Sequence, residues 1–234
     1  MLRMLFGEPP RVLDGKLLET MEAMERYATM LNKRIEKSHD VDHKLRKYEI
    51  YTLGLISSLD ELEQSQYAAR KFSRMIESTS YEDMTPEERL NYHRYVYFDK
   101  NAFIRQFSLL DKLGTLMNDY LGLQTERVKP HFSYFTVLRT MMKREAYPEL
   151  ALPLFELKEQ TKPAMNRLRK RRNMEIHFMS SEMQDDLRQS HEDYDEEHQL
   201  ENIAQQMRDL DEMMDLVLDT LRLTFHHAYR LMRK

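Results

Sequence analysis

The residues best suited to chemistry lie in one short run, Arg172 to His177, of the form Arg-Asn-x-x-x-His. A histidine titrates near neutral pH, so it can take a proton from a ribose 2′-hydroxyl or give one to a leaving oxygen. An arginine stays charged and can hold a phosphate while negative charge builds on it. An asparagine can fix the histidine ring or the phosphate. Arg172, Asn173 and His177 are therefore the predicted catalytic residues of a metal-independent RNA cleavage.

Helix geometry decides whether these three side chains can meet. Asn173 and His177 are four residues apart, so they share a helix face. Arg172 precedes His177 by five residues, so its Cα points roughly 140° away. A second copy of the helix across a two-fold axis would bring two such motifs into one cleft, and we therefore predict a homodimer. Met174 and Ile176 are predicted to face the core and anchor the helix.

Other interpretations of the same run remain open, because Arg-Asn-x-x-x-His also occurs by chance in helical proteins. Arg172 would then simply end a basic helix, and His177 would be a hydrogen-bonded core histidine. A non-catalytic helical module could hold RNA, nucleotide or a partner protein in the same cleft. In a structural partner protein, the faces rich in the 18 methionines would matter and the motif would be incidental.

A basic segment leads directly into the motif. Between Lys158 and Arg172 there are seven basic residues and one acidic residue, whereas Glu182 to Glu201 holds nine acidic residues and one basic residue. The basic segment suits a phosphate backbone, where each contact releases counterions. Alternatively, both segments are solvated faces, or they pair with each other. The predicted RNA-binding residues are Arg167, Arg169, Lys170 and Arg171.

Two groups of histidines are candidates for metal sites. One group is the acidic stretch that contains His191, Asp193, Asp195, Glu197 and His198. Its spacing matches no ligand pattern, so an acidic solvated connection is the better interpretation. The other is His226-His227, whose side chains would point about 100° apart on a helix and could not easily share one ion. No metal and no cofactor are predicted.

Long helices must position the motif. Apolar spacing predicts helices from Leu13, through Leu45 to Ile76, and from a capping box at Thr85-Pro86-Glu87-Glu88 to a stop at Gly122. Short helices punctuated by prolines follow, and Thr161-Lys162-Pro163 begins the helix that carries the motif. Further helices are predicted from Ser181 and from about Asp195 to Tyr229. The expected architecture is all-α, an antiparallel helical bundle with additional helices.

Composition limits the remaining possibilities. The 234 residues are 41% hydrophobic, which suits one helical domain over 1–234, and five glycines are too few for a turn-rich β fold. The absence of cysteine excludes disulfides and thiol catalysis. The net charge of −4 does not mark the whole chain as a nucleic-acid binder. No apolar stretch is long enough for a membrane span, and cytoplasm is the expected location.

The motif resembles the signature of the HEPN superfamily, named for higher eukaryotes and prokaryotes and for nucleotide binding. That signature is an Arg, four to six residues, and a His, often with an Asn directly after the Arg, as in Arg172, Asn173 and His177. Residues 98–114 also resemble a long core helix of some bacterial HEPN groups. The resemblance covers roughly residues 42–230, with residues 1–40 as an N-terminal helical extension of unassigned role.

The resemblance implies an α-helical bundle, usually dimeric, with the motif at the dimer interface. Many members are metal-independent endoribonucleases of toxin–antitoxin, defence or stress systems, so RNA and an antitoxin protein are the implied partners. Other members bind nucleotide or RNA without catalysis. Some toxins carry a tyrosine two residues after the histidine, which their partner modifies. Met179 stands at that position here, which argues against such control.

Overall fold

The computed structural model describes residues 2–37, 43–177 and 202–233, with the side chain of His177 excepted. Within these ranges the chain forms eight α-helices, one short 3-10 helix and no strand, which confirms the predicted all-α class. The helices are α1 Leu2–Leu5, α2 Gly15–Lys37, α3 Lys44–Ser73, α4 Pro86–Tyr120, α5 Tyr134–Lys143, α6 Pro148–Gln160, α7 Lys162–His177 and α8 Ile203–Arg233. The helix predicted from Ser181 and the start predicted at Asp195 lie outside the described residues. None of the described helices combines the length and apolar character needed to cross a membrane.

The long helices α2, α3, α4 and α8 form the bundle. Helix α3 runs antiparallel to α4, because Phe72 near the end of α3 stacks on Phe98 early in α4, while Lys47 pairs with Asp119 at the opposite end. Helix α8 instead runs parallel to α4. Contacts between these two begin near their N-termini and progress along both helices. The pairs that join α2 to α8 progress in the same way.

The parallel arrangement follows from the connection between α4 and α8. The shorter helices α5, α6 and α7 lie between them in sequence, and together they return the chain to the end of the bundle where α4 begins. Helix α7 consequently packs against both α4 and α8. The antiparallel arrangement predicted from the sequence thus holds for α3 against α4, whereas α8 runs parallel to α2 and α4.

The ends of α4 follow the predicted capping chemistry. The Thr85 hydroxyl accepts the backbone N–H of Glu88 at 3.2 Å, and Pro86 occupies the first turn. At the other end Gly122 has a positive φ of 63°, and the Leu123 N–H reaches back to the Asn118 carbonyl at 3.0 Å. This is the Schellman arrangement in which a glycine satisfies the last helix carbonyls. Both predicted ends of this helix are confirmed.

Helix α2 belongs to the core and is not a separate arm. One continuous apolar cluster joins all the helices from α2 to α8, and it includes Met24, Tyr27 and Leu31 of α2, each at most 1% exposed. The segment before α2 is held on α3 by an ion pair between Arg3 and Glu63. Helix α2 therefore supplies part of the bundle's interior.

Helices α4 and α5 approach each other closely where Gly114 faces Tyr134. A Cβ built at Gly114 would lie 2.7 Å from the Tyr134 Cα, which is closer than real Cβ contacts allow. A glycine is therefore needed at this crossing. The close approach also places Asp111, one helical turn earlier, where its Oδ1 accepts the Tyr134 N–H at 3.0 Å.

Candidate functional site

Two arginines of α7 form ion pairs with buried carboxylates of the bundle. The Arg167 Nε and Nη2 atoms donate to the two oxygens of Asp209 on α8, at 2.8 and 2.6 Å. Arg171 binds both oxygens of Asp99 on α4. The two carboxylates are 2% and 1% exposed, so each needs a cation beside it to offset its lost hydration. These pairs fix the rotation of α7 about its own axis.

Arg172 occupies a different environment. Its guanidinium lies 5.1 Å from the centre of the Phe107 ring, and its Nη2 donates to Asn173 Oδ1 at 3.0 Å. Among the described residues, no carboxylate lies within ion-pair distance of Arg172, and its buried Nε has no acceptor. Two predicted catalytic residues, Arg172 and Asn173, are thus in direct contact, and the arginine keeps donors for an external anion.

The rest of the motif is anchored by charge. Glu175 forms an ion pair with Lys100 of α4 at 3.0 Å. Ile176 is 52% exposed, so the prediction that it faces the core is wrong. Since Arg171 takes the inward position, a residue five places later points well away from the core. His177 is the last residue of α7, and its side chain lies outside the described part of the chain.

Arg172 lies at the edge of an open groove between α4, α7 and the segment before α5. The groove has a volume of about 380 Å³. Apolar side chains form much of its wall, namely those of Ile104, Phe107, Phe132 and Ile176. Three charged side chains also line it, those of Asp111, Lys112 and Arg172. A groove that combines apolar walls with a few charged groups has the character of a ligand site.

Asp111 is the acidic group of this groove. Its partial burial raises the pKa of the carboxyl above the ordinary value, while the Tyr134 N–H and the charges of Arg172 and Arg169 act in the opposite direction. Burial is the larger effect because it withdraws the carboxylate from water. The carboxyl group thus lies in a poorly hydrated environment, with two cations close enough to influence it.

The other two predicted RNA-binding residues, Arg169 and Lys170, have no carboxylate within ion-pair distance among the described residues. Arg169 places its guanidinium 5.2 Å from the centre of the Phe135 ring. Lys170 is exposed. The four predicted RNA-binding residues therefore divide into two environments. Arg167 and Arg171 pair with buried carboxylates, whereas Arg169 and Lys170 do not.

A comparison with protein families identifies the family of the chain. The family model of the Cthe2314-like HEPN family matches residues 51–229, which is more than half of the chain. The chain belongs to the HEPN superfamily. No curated protein and no solved structure matches it significantly. The match confirms the resemblance seen in the sequence.

The matched region contains the whole candidate site of this HEPN chain. It includes α4, which carries Phe107 and Asp111, and α7, which carries the motif. Helix α2 precedes the matched residues, although it packs into the same core. The family assignment thus applies to the helices around the groove.

The other histidines considered for metal binding stand apart from the groove. In this HEPN chain, His227 is 3% exposed and packs edge-on against Tyr147, so it belongs to the core. Burial lowers the pKa of His226, with the nearby arginines adding to the effect. Among the described ranges no group of three or more potential ligands is placed to hold a metal ion. The acidic stretch that contains His191 and His198 lies outside those ranges.

Sequence reasoning missed the residues that α4 contributes to the groove. Residues 98–114 suggested a core helix, and no site residue was predicted there. A signal was present, because Ile104, Phe107, Asp111 and Thr115 recur at three- and four-residue spacings and place a carboxylate within a mainly apolar stripe. What the sequence could not show was that this stripe meets α7 beside Arg172.

Proposed function

We propose that this HEPN chain is a metal-independent endoribonuclease whose site is completed across a homodimer. The observation that supports it best is the state of Arg172, which lies on Phe107 and Asn173 at the edge of a groove with no carboxylate within ion-pair distance among the described residues. Its neighbours Arg167 and Arg171 have such partners. An arginine held in place without an anion is prepared to bind a phosphate.

In the proposed reaction the ribose 2′-oxygen attacks the adjacent phosphorus. The 2′-hydroxyl proton leaves to a base, the bond to the 5′-oxygen breaks, and that oxygen takes up a proton. The products are a 2′,3′-cyclic phosphate and a 5′-hydroxyl. His177 performs proton transfer, Arg172 stabilises the charge on the phosphate, and Asn173 holds the arginine in place.

The proposed dimer follows from the helix that carries both residues. Arg172 and His177 are about 140° apart around α7, so one helix does not direct both side chains to one phosphate unaided. A two-fold arrangement would place the arginine of one copy beside the histidine of the other. The half-buried Arg169 and the exposed Lys170 would then guide the strand towards the cleft.

The test is cleavage of total RNA in excess EDTA by wild type, His177→Ala, Arg172→Ala and Arg139→Ala. Arg139 is an exposed residue of α5, so its substitution removes a charge without touching the groove. We expect wild type and Arg139→Ala to leave cyclic-phosphate ends. His177→Ala should be slower by about 10²–10⁴-fold and Arg172→Ala by about 10²–10³-fold, at unchanged melting temperature. Equal cleavage by all four proteins would indicate contamination and refute the assignment.

Mixing the two inactive variants tests the dimer. If each site takes Arg172 from one copy and His177 from the other, heterodimers of Arg172→Ala and His177→Ala contain one intact site. After subunit exchange the mixture should regain about a quarter of wild-type activity, since half of the dimers are mixed and one of their two sites is complete. A mixture as inactive as its components would show that both residues act within one chain. A monomer by light scattering would exclude the dimer.

A further inference from the structure

The groove beside Arg172 is larger than phosphate binding requires. Its volume of about 380 Å³ lies near the lower end of the range for small-molecule sites, which is about 300–1,000 Å³. Its walls extend from Arg172 along α4 towards Phe132. A phosphate held at Arg172 would therefore leave most of the groove for the rest of a nucleotide.

The apolar part of the groove suits a flat ring. Phe132 and Ile176 line it, and Ile176 is half exposed on a helix whose other apolar residues are better covered. The Phe107 ring already carries the Arg172 guanidinium, so Phe132 is the aromatic side chain that remains for a ligand. Unpaired RNA bases bind proteins by stacking on such side chains.

The polar part of the groove suits a ligand group that donates hydrogen bonds to Asp111. Asp111 Oδ1 already accepts the Tyr134 N–H, but a carboxylate has about four acceptor positions, so most of its capacity remains. An ionised carboxylate only accepts, and it pairs with the amino groups of bases. Guanine presents an N1–H beside its 2-amino group, whereas uracil presents one N–H between two carbonyl oxygens. Arg172 and Lys112, which also line the groove, offset the repulsion between Asp111 and a phosphate.

We infer that the groove is a nucleobase subsite, in which Phe132 stacks on the base and Asp111 accepts hydrogen bonds from its amino edge, with guanine preferred. The inference rests on the proposed function, because the base would belong to the RNA strand whose phosphate Arg172 holds. Asp111 is then a specificity-determining residue. The subsite adds sequence preference to a cleavage site that would otherwise recognise only the RNA backbone.

Binding and cleavage are measured separately to test this subsite. Equilibrium dialysis compares GMP, IMP and UMP on wild type, Asp111→Asn, Phe132→Ala and Glu87→Gln. Inosine lacks only the 2-amino group of guanosine, so the GMP to IMP ratio probes that contact without altering the protein. Asparagine can still accept the Tyr134 N–H, which favours a folded variant. Glu87 is an exposed residue early in α4, 24 positions and about 36 Å of helix before Asp111, and it serves as the matched carboxylate control.

The two groove variants should fail in different ways. Wild type and Glu87→Gln should bind GMP about tenfold more tightly than IMP or UMP, and Asp111→Asn should lose that ratio. Phe132→Ala should weaken all three nucleotides by a similar factor of about ten, because stacking tolerates any base. Mapping of RNA ends should show guanine enriched at one position beside the cut in wild type, and this enrichment should be absent in Asp111→Asn.

The outcomes separate the subsite from the proposed activity. Nucleotide selectivity without any RNA cleavage supports the subsite and refutes the ribonuclease. Cleavage by wild type with the same end sequences in Asp111→Asn overturns the subsite and leaves the ribonuclease standing. Equal binding of GMP, IMP and UMP by wild type also overturns it, even where the Asp111→Asn variant fails to fold.

Discussion

Two sets of arginines on α7 look alike in sequence and differ in the fold. Arg167 and Arg171, four residues apart, each form an ion pair with a carboxylate that is almost fully buried. Arg172 is the next residue after Arg171, yet the 100° step around the helix moves it to the groove, where no described carboxylate lies within ion-pair distance. Consecutive basic residues on a helix can therefore lie in different environments, because each residue points in a different direction around the helix axis.

The two environments also correspond to two roles, since one kind of arginine stabilises the fold and the other is available to a ligand. An arginine beside a buried carboxylate offsets the cost of burying that acid, so its charge is used within the fold. An arginine with spare donors at a groove can serve a ligand. If this distinction is right, substitutions along α7 should affect either unfolding or RNA binding, in a pattern that follows the helix face and not the order of residues.

The largest expected effect is on the free energy of unfolding, and it comes from the substitution of Arg171. Arg171→Ala leaves Asp99 buried without its guanidinium, and removing one partner of a buried pair costs about 3–5 kcal/mol. The free energy of unfolding in urea should fall by that amount. The matched control is Lys170→Ala, an exposed neighbour on the same helix, which should stay within about 0.5 kcal/mol of wild type.

Unfolding of Arg171→Ala at the wild-type urea midpoint, together with a reduced RNA affinity, would contradict the structural role of Arg171. Arg171 would then belong to the RNA surface, as its sequence suggested. Replacing the pair as a whole gives a second check. Arg171→Met with Asp99→Leu should recover most of the stability that Arg171→Ala loses, since exchanging a buried ion pair for apolar side chains is often neutral or stabilising.

A smaller effect, on RNA affinity, is expected from substitutions of Arg169 and Lys170. Arg169→Ala and Lys170→Ala should each weaken binding to single-stranded RNA without a sequence preference. Each should reduce the slope of log K against log salt concentration by about 0.7, the value for each phosphate that a protein neutralises on a single strand. Filter binding over a salt series measures this slope, with Arg139→Ala as the control. An unchanged slope in the double variant would place the RNA elsewhere on the chain.

The sequence predicted most of the helices because their signals are local. Caps, prolines and Gly122 act within a few residues, and the positions of Thr85, Pro86 and Gly122 at the ends of α4 confirm them. The motif on α7 could be found for the same reason. The acidic residues that meet α7 could not be predicted, because Asp99, Asp209 and Asp111 reach this helix only through the packing of α4 and α8. The prediction for Ile176 was wrong because the local sequence does not show which face of α7 packs against the core.

The smallest expected effect concerns the acid of the groove and depends on pH. Burial raises the folded-state pKa of Asp111 above 3.8, so the ionised carboxylate disfavours folding at neutral pH. That cost shrinks as the pH falls through the raised pKa and is gone below 3.8, where both states are protonated. Asp111→Asn should therefore raise the melting temperature at pH 7 by a few degrees at most, and the gain should vanish in acid. A lower melting temperature at pH 7 would mean that Asp111 stabilises the fold through Arg172. Arg172 would then be a structural arginine like Arg171, and the contrast between the two faces would no longer hold.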